Sequence, residues 1–297
     1  MLWQRVITAL VLLPLVILAI FGLNIETFAL VIAIVIALAA WEWSGFITQK
    51  RQFKALYVIA TIALMWLVTA QSLPLAYWHG FILPQTLAEW FVDNQAARLT
   101  LLLGLLWWLV AFILLIIYPR LSKELVASKM MMIIIGWLIL LPTWVAVVGI
   151  RSMGIVFDHN HGAELLLFVL LIIWAADTGA FMAGKKFGKT KLAPLVSPKK
   201  TWEGVLGGVA LAGVIVGLGI YLLHFKPEQT VALIGLSLLI VIFSVVGDLT
   251  ESIFKRLTGI KDSGKILPGH GGILDRIDGV TAALPITLLG LSFLGIQ

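Results

Sequence analysis

Apolar runs close to 20 residues long recur from one end of this 297-residue chain to the other. Each can cross a hydrocarbon layer of about 30 Å. An open sheet edge could not satisfy its backbone groups in lipid, so helices are expected. The polar content fits that solvent: 61% of the residues are hydrophobic and 12% are charged, about half the charged share of a soluble domain. No stretch is polar enough to cover a separate soluble domain. The chain therefore reads as an all-α, polytopic membrane protein, a single membrane domain over 1–297.

Nine spans are expected, near 6–23, 26–41, 55–72, 99–118, 130–150, 164–183, 202–224, 229–248 and 280–296. The first follows Arg5 and lacks a small-x-small cleavage site, so it reads as a retained span. With nine spans, 18 of the 21 basic residues fall on one side, leaving Arg98, Arg151 and Lys226 on the other. Such a bias places the N-terminus in the cytoplasm. Residues 1–150 are expected to serve as scaffold and dimerisation spans, and 164–297 to form the catalytic spans and loops. The chain has no cysteine, which excludes disulfides, thiolate nucleophiles and thiolate metal sites. The basic residues adjoin spans and follow topology, so no nucleic-acid partner is expected.

The ionisable residues collect in two segments of the basic side. At the end of the eighth span, Asp248, Glu251, Ser252 and Lys255 share one helical face if the helix continues past the membrane. Asp275 and Asp278 share a face just before the ninth span. Carboxylates at hydrocarbon depth are costly and usually line a cavity or meet a cation. Together with Lys and Arg, and without paired His or Cys, they suit Mg²⁺ shared with phosphate oxygens. In the second segment, Ser197 and Pro198 read as N-cap and N1 of the seventh span. Lys199 and Lys200 would then lie in its first turn, against the helix dipole, as if awaiting an anion. Asp177 is expected to face a polar cavity. Glu42, between Trp41 and Trp43, reads as an interfacial residue of an aromatic belt, and Asp158-His159-Asn160-His161 as an ordinary polar loop on the opposite side.

Ser252-x2-Lys255-Arg256-x4-Lys261-Asp262, followed by Pro268-x-His270-Gly271-Gly272-x2-Asp275-Arg276-x-Asp278, resembles the signature of the phosphatidate cytidylyltransferase (CDP-diglyceride synthase) family. Ala176-Asp177-Thr178-Gly179-Ala180 and Ser197 to Gly204 are similar to the same family. The resemblance implies a reaction: CTP and phosphatidic acid give CDP-diacylglycerol and pyrophosphate, with Mg²⁺ required. It implies metal-binding roles for Asp248 and Asp275, with Asp177, Glu251 or Asp278 completing the acidic cavity or a second cation site, monovalent or divalent. Lys199, Lys200, Lys255, Arg256, Lys261 and Arg276 become candidates for the nucleotide and lipid phosphates, beside Ser197. His270 becomes a candidate for positioning a phosphate or the leaving group. A homodimer in the bacterial inner membrane, serving phospholipid synthesis, is implied as well.

Three other readings compete. A CDP-alcohol phosphotransferase needs Asp-Gly-x2-Ala-Arg followed by spaced aspartates, and Asp278-Gly279-Val280-Thr281-Ala282-Ala283 lacks the arginine. A CTP-using lipid kinase is closer in chemistry and is separated by following CMP transfer. An anion transporter calls for polar residues at mid-span on several helices, whereas the ionisable groups here gather at one face.

Overall fold

A computed structural model describes residues 2–70, 94–118, 128–154, 160–267, 269 and 271–295. The described residues form nine α-helices and one two-stranded sheet. The helices are α1 (Leu2–Gly22), α2 (Ile25–Ile47), α3 (Arg51–Ala70), α4 (Gln95–Ile117), α5 (Lys129–Ser152), α6 (His161–Phe187), α7 (Trp202–Leu222), α8 (Pro227–Thr258) and α9 (Leu274–Phe293). Each expected span has its helix, and α2 through α9 are long and apolar enough to cross a membrane. Residues 71–93 and 119–127 lie outside the described residues, as do Asp158, His159, Pro268 and His270.

Local chemistry sets the helix ends. Asn24 accepts the Thr27 amide at 2.9 Å and starts α2, and Asn94 accepts the Ala97 amide at 2.8 Å and starts α4, each satisfying a donor the helix cannot. Gly259 ends α8 in the left-handed region at φ 72°, a conformation glycine adopts without strain. Inside the bundle, polar groups find partners across helices, as lipid requires. The Trp43 indole donates to the Met132 carbonyl at 2.8 Å, and the Trp144 indole to that of Ala29 at 3.2 Å. Arg151, fully buried, donates to the carbonyls of Ile20 and Leu23 at the end of α1.

Two features position the opposite end of the bundle. Helices α6 and α7 approach to backbone contact: a methyl at Gly179 would strike the Gly207 carbonyl, and one at Gly207 the Ala183 side chain. Small residues permit that approach in membranes. Helix α8 has 32 residues, or about 48 Å of length. A hydrocarbon core of about 30 Å uses roughly its first 20 residues. Its last three turns, from Asp248 onward, therefore project past the core.

The start of the seventh span differs from the expectation. Ser197 and Pro198 are not its N-cap and N1: Ser197–Thr201 is strand β2, paired antiparallel with β1 (Lys191–Ala193). The cap is Thr201, whose hydroxyl accepts the Gly204 amide at 3.1 Å. Glu203 then reaches back to accept the amides of Lys189 and Thr190 at 3.1 and 3.0 Å. These bonds tie the hairpin to the helix, so Lys199 and Lys200 stand on a strand and not in a first helical turn. The hairpin packs Val196 against Leu249 and Ile253 of α8.

Candidate functional site

The continuation of α8 brings its polar face together with α9, α6 and the hairpin. One acidic group forms around Asp248. Its carboxylate meets the Lys200 ammonium of β2 at 2.7 Å, with the Ser252 hydroxyl at 3.5 Å. Asp177 of α6 and Asp278 of α9 both interact electrostatically with Asp248 and Lys200. The helix–helix contact behind this is close, since a methyl at Gly247 would strike the Asp278 carbonyl. Arg276 extends the positive border towards Asp177. Three helices and one strand thus place three carboxylates around a single lysine.

A second, deeper group adjoins the first. Lys255 turns inward, with its ammonium 3.2 Å from Glu251 and 2.8 Å from Asp275. All three side chains are well buried, at 14%, 5% and 7% exposure. Asp275 also accepts from the Ser263 amide, the Ser263 hydroxyl and the Gly272 amide, all at 2.9 Å through Oδ2. A carboxylate offers about four lone-pair directions, and with Lys255 on Oδ1 those of Asp275 are all engaged. Glu251 interacts with Asp278, which joins the two groups. Below them lies a cavity of about 10 Å³ lined by Trp43, Trp108, Thr250, Glu251, Asp278 and Thr281, among others. The Trp108 indole N–H and Thr250 hydroxyl have no hydrogen-bond partner among the described residues. That space suits one water-sized guest with donors and acceptors to meet.

The segment between α8 and α9 closes over this end. Leu267 and Gly271 exchange backbone hydrogen bonds at 2.9 and 3.1 Å. Gly271 sits at φ 87°, a left-handed conformation that disfavours any side chain. Lys261 and Arg276 are exposed at the rim, as are Lys199 on the hairpin and Arg256, whose guanidinium donates to the Val196 carbonyl at 3.4 Å. Ser197 is half-buried on the same hairpin.

Glu42, like Ser197 and Pro198, stands elsewhere than the sequence suggests. It is not an interfacial side chain in an aromatic belt but is 3% exposed, accepting the Leu274 amide at 2.8 Å and facing the Ser263 hydroxyl at 3.3 Å. Its partners lie more than 220 residues away, and no local spacing signals them.

Such a set of groups suits phosphate chemistry. Oxygen ligands in a partly dehydrated hollow favour a hard cation, and mobile lysines and arginines at its rim favour anions. Asp177 is exposed on α6, one turn from exposed Phe181 and Met182.

The profile of the cytidylyltransferase family matches residues 3–294. The phosphatidate cytidylyltransferase of Pseudomonas aeruginosa is 42% identical over 287 residues, covering 96% of this chain and 95% of that one. The protein of the same name from Haemophilus influenzae is 38% identical over 294 residues, covering 96% of each. That of Staphylococcus aureus is 44% identical over 142 residues, or 48% of this chain and 54% of its own.

Proposed function

The chain belongs to the cytidylyltransferase family, and on that premise we propose that it joins CTP to phosphatidic acid, giving CDP-diacylglycerol and pyrophosphate. An ionised oxygen of the phosphatidate headgroup attacks the α-phosphorus of CTP. A new P–O bond forms, the bond between the α-phosphorus and the bridging oxygen breaks, and pyrophosphate carries away the electron pair. The nucleophile is already anionic, so no strong general base is needed. What remains is to hold two mutually repelling anions in line and to neutralise the leaving group.

The observation that carries this reading is the convergence of Asp177, Asp248 and Asp278 on Lys200. The donors are all oxygen, as Mg²⁺ prefers; as the side chains stand, no three of the described carboxylates are grouped to hold a metal ion, and Asp248 is bound to a lysine that a phosphate could draw away. Asp248 and Asp275 are the proposed metal ligands, Asp275 once Lys255 gives way on Oδ1, with Asp177, Glu251 and Asp278 completing the acidic wall or a second cation site. Held by those carboxylates, Mg²⁺ would supply positive charge to offset that of the phosphates.

The chain's own residues divide the remaining work. Lys200, released from Asp248, meets a phosphate, and Lys199, Lys261, Arg256 and Arg276 supply positive charge around the nucleotide and headgroup, with Ser197 beside them on the hairpin. Lys255 holds the acidic wall together and does not face solvent. The acyl chains stay in lipid, and the headgroup enters beside Asp177. The active end faces the cytoplasm of a bacterial inner membrane, in keeping with the basic bias of its loops, and the protein works as a homodimer.

Purified protein incubated with CTP, phosphatidic acid and Mg²⁺ tests the reaction. Labelled CMP should appear in lipid in equal amount to released pyrophosphate, and neither should form without lipid. Transfer of phosphate alone would identify a lipid kinase and defeat the proposal.

A further inference from the structure

Helix α9 carries Asp275, Arg276 and Asp278, yet its own N-terminus lacks a cap. The residue at the cap position is Ile273, which makes no side-chain capping bond. Helix starts leave amide donors that need an acceptor, and here it comes from the other half of the chain. The Glu42 carboxylate of α2 accepts the Leu274 amide at 2.8 Å and also faces the Ile273 amide. It shares the Ser263 hydroxyl with Asp275, at 3.3 and 2.9 Å.

A second, independent feature marks the same carboxylate. Glycines 264 and 272 form its seat: a methyl on Gly264 would run into Glu42 Oε1, and one on Gly272 into Oε2. The side chain is therefore held from both sides by backbone. Its neighbour Trp43 packs edge-on against Phe254 of α8 at 5.0 Å, which fixes α2 to the acidic helix as well.

We propose that Glu42 is a positioning residue for the reaction: a cap supplied in trans that sets where α9 begins, and so where Asp275 and Asp278 stand relative to Asp248. It touches neither substrate nor the reacting atoms. A negative group at a helix N-terminus also suits the helix dipole. The inference rests on the metal reading proposed above and adds a residue that the resemblance did not include. It also accounts for two glycines of the α8–α9 segment as seats for this carboxylate.

The test compares two variants of the full-length protein in detergent micelles, Glu42→Met and Glu42→Gln, by Mn²⁺ binding followed through its electron paramagnetic resonance signal, where affinity should fall in the methionine variant alone, and by titrating Mg²⁺ in the CMP-transfer assay. Methionine fills the seat but accepts no hydrogen bond. It should raise the Mg²⁺ concentration for half-maximal rate about tenfold, as loss of groups that orient metal ligands does. Its KM for phosphatidic acid should stay near that of the parent. Glutamine keeps an oxygen acceptor and should remain within about threefold, since amides cap helices nearly as well as carboxylates do. A Glu42→Met protein with unshifted Mg²⁺ dependence overturns the proposal. So does one that fails to insert, which would make Glu42 a folding device. Parent activity unaffected by chelator would remove the metal reading itself and this inference with it, an outcome distinct from a Mg²⁺-dependent parent beside an unshifted variant.

Discussion

Changing Lys255 to methionine removes an ammonium that stands 3.2 Å from Glu251 and 2.8 Å from Asp275. Methionine keeps most of the stem's volume, so the loss is electrostatic. With the lysine gone, two carboxylates exposed by 5% and 7% face each other without a cation between them. Exposed pairs contribute at most about 1 kcal/mol, but breaking a buried one leaves an uncompensated charge and costs about 3–5 kcal/mol. The single variant should lose that much in reversible unfolding in mixed micelles. Adding Glu251→Gln removes one of the two repelling charges. The double variant should recover about 1–3 kcal/mol, the coupling expected of groups in one network. Stability of Lys255→Met within about 0.5 kcal/mol of the parent, the range of ordinary surface changes, would refute the buried triad. So would strict additivity of the two substitutions.

Lys200→Ala should raise the KM for CTP or phosphatidic acid with little change in stability, because its pair with Asp248 is a quarter to a third exposed; steady-state kinetics checks this, and unchanged constants would return the residue to a purely topological role. Thr201→Val should cost about 1 kcal/mol through the lost cap on Gly204, read as a shift in micellar unfolding. Gly207→Leu should drive α6 from α7, displace Asp177 and abolish CMP transfer, since even a methyl at 207 meets Ala183; normal activity in an inserted protein would contradict the packing.

The spans were legible because lipid imposes one rule on every segment: the expected 229–248 and 280–296 fall on the apolar parts of Pro227–Thr258 and Leu274–Phe293, whose polar turns extend beyond them. The polar faces were legible for a related reason. Asp248, Glu251, Ser252 and Lys255 are spaced by one helical period, and Lys255 does reach Glu251 four residues back. Ser197-Pro198 misled because Ser-Pro is a common helix start, whereas the competing hairpin depends on Lys191–Ala193 and on Glu203 binding amides 13 and 14 residues earlier. Glu42 was illegible for a stronger version of that reason. A carboxylate between two tryptophans looks interfacial until the chain returns, some 230 residues later, with an uncapped helix. Local pattern reports what a residue resembles, and long-range pairing decides what it meets.

Binding of Mn²⁺ to the purified protein, followed by its electron paramagnetic resonance signal, tests the acidic hollow without relying on turnover. The account predicts saturable binding that weakens at least about tenfold in Asp248→Asn, by loss of one charged oxygen ligand. Equal affinity in parent and variant, both inserted and folded, would contradict it.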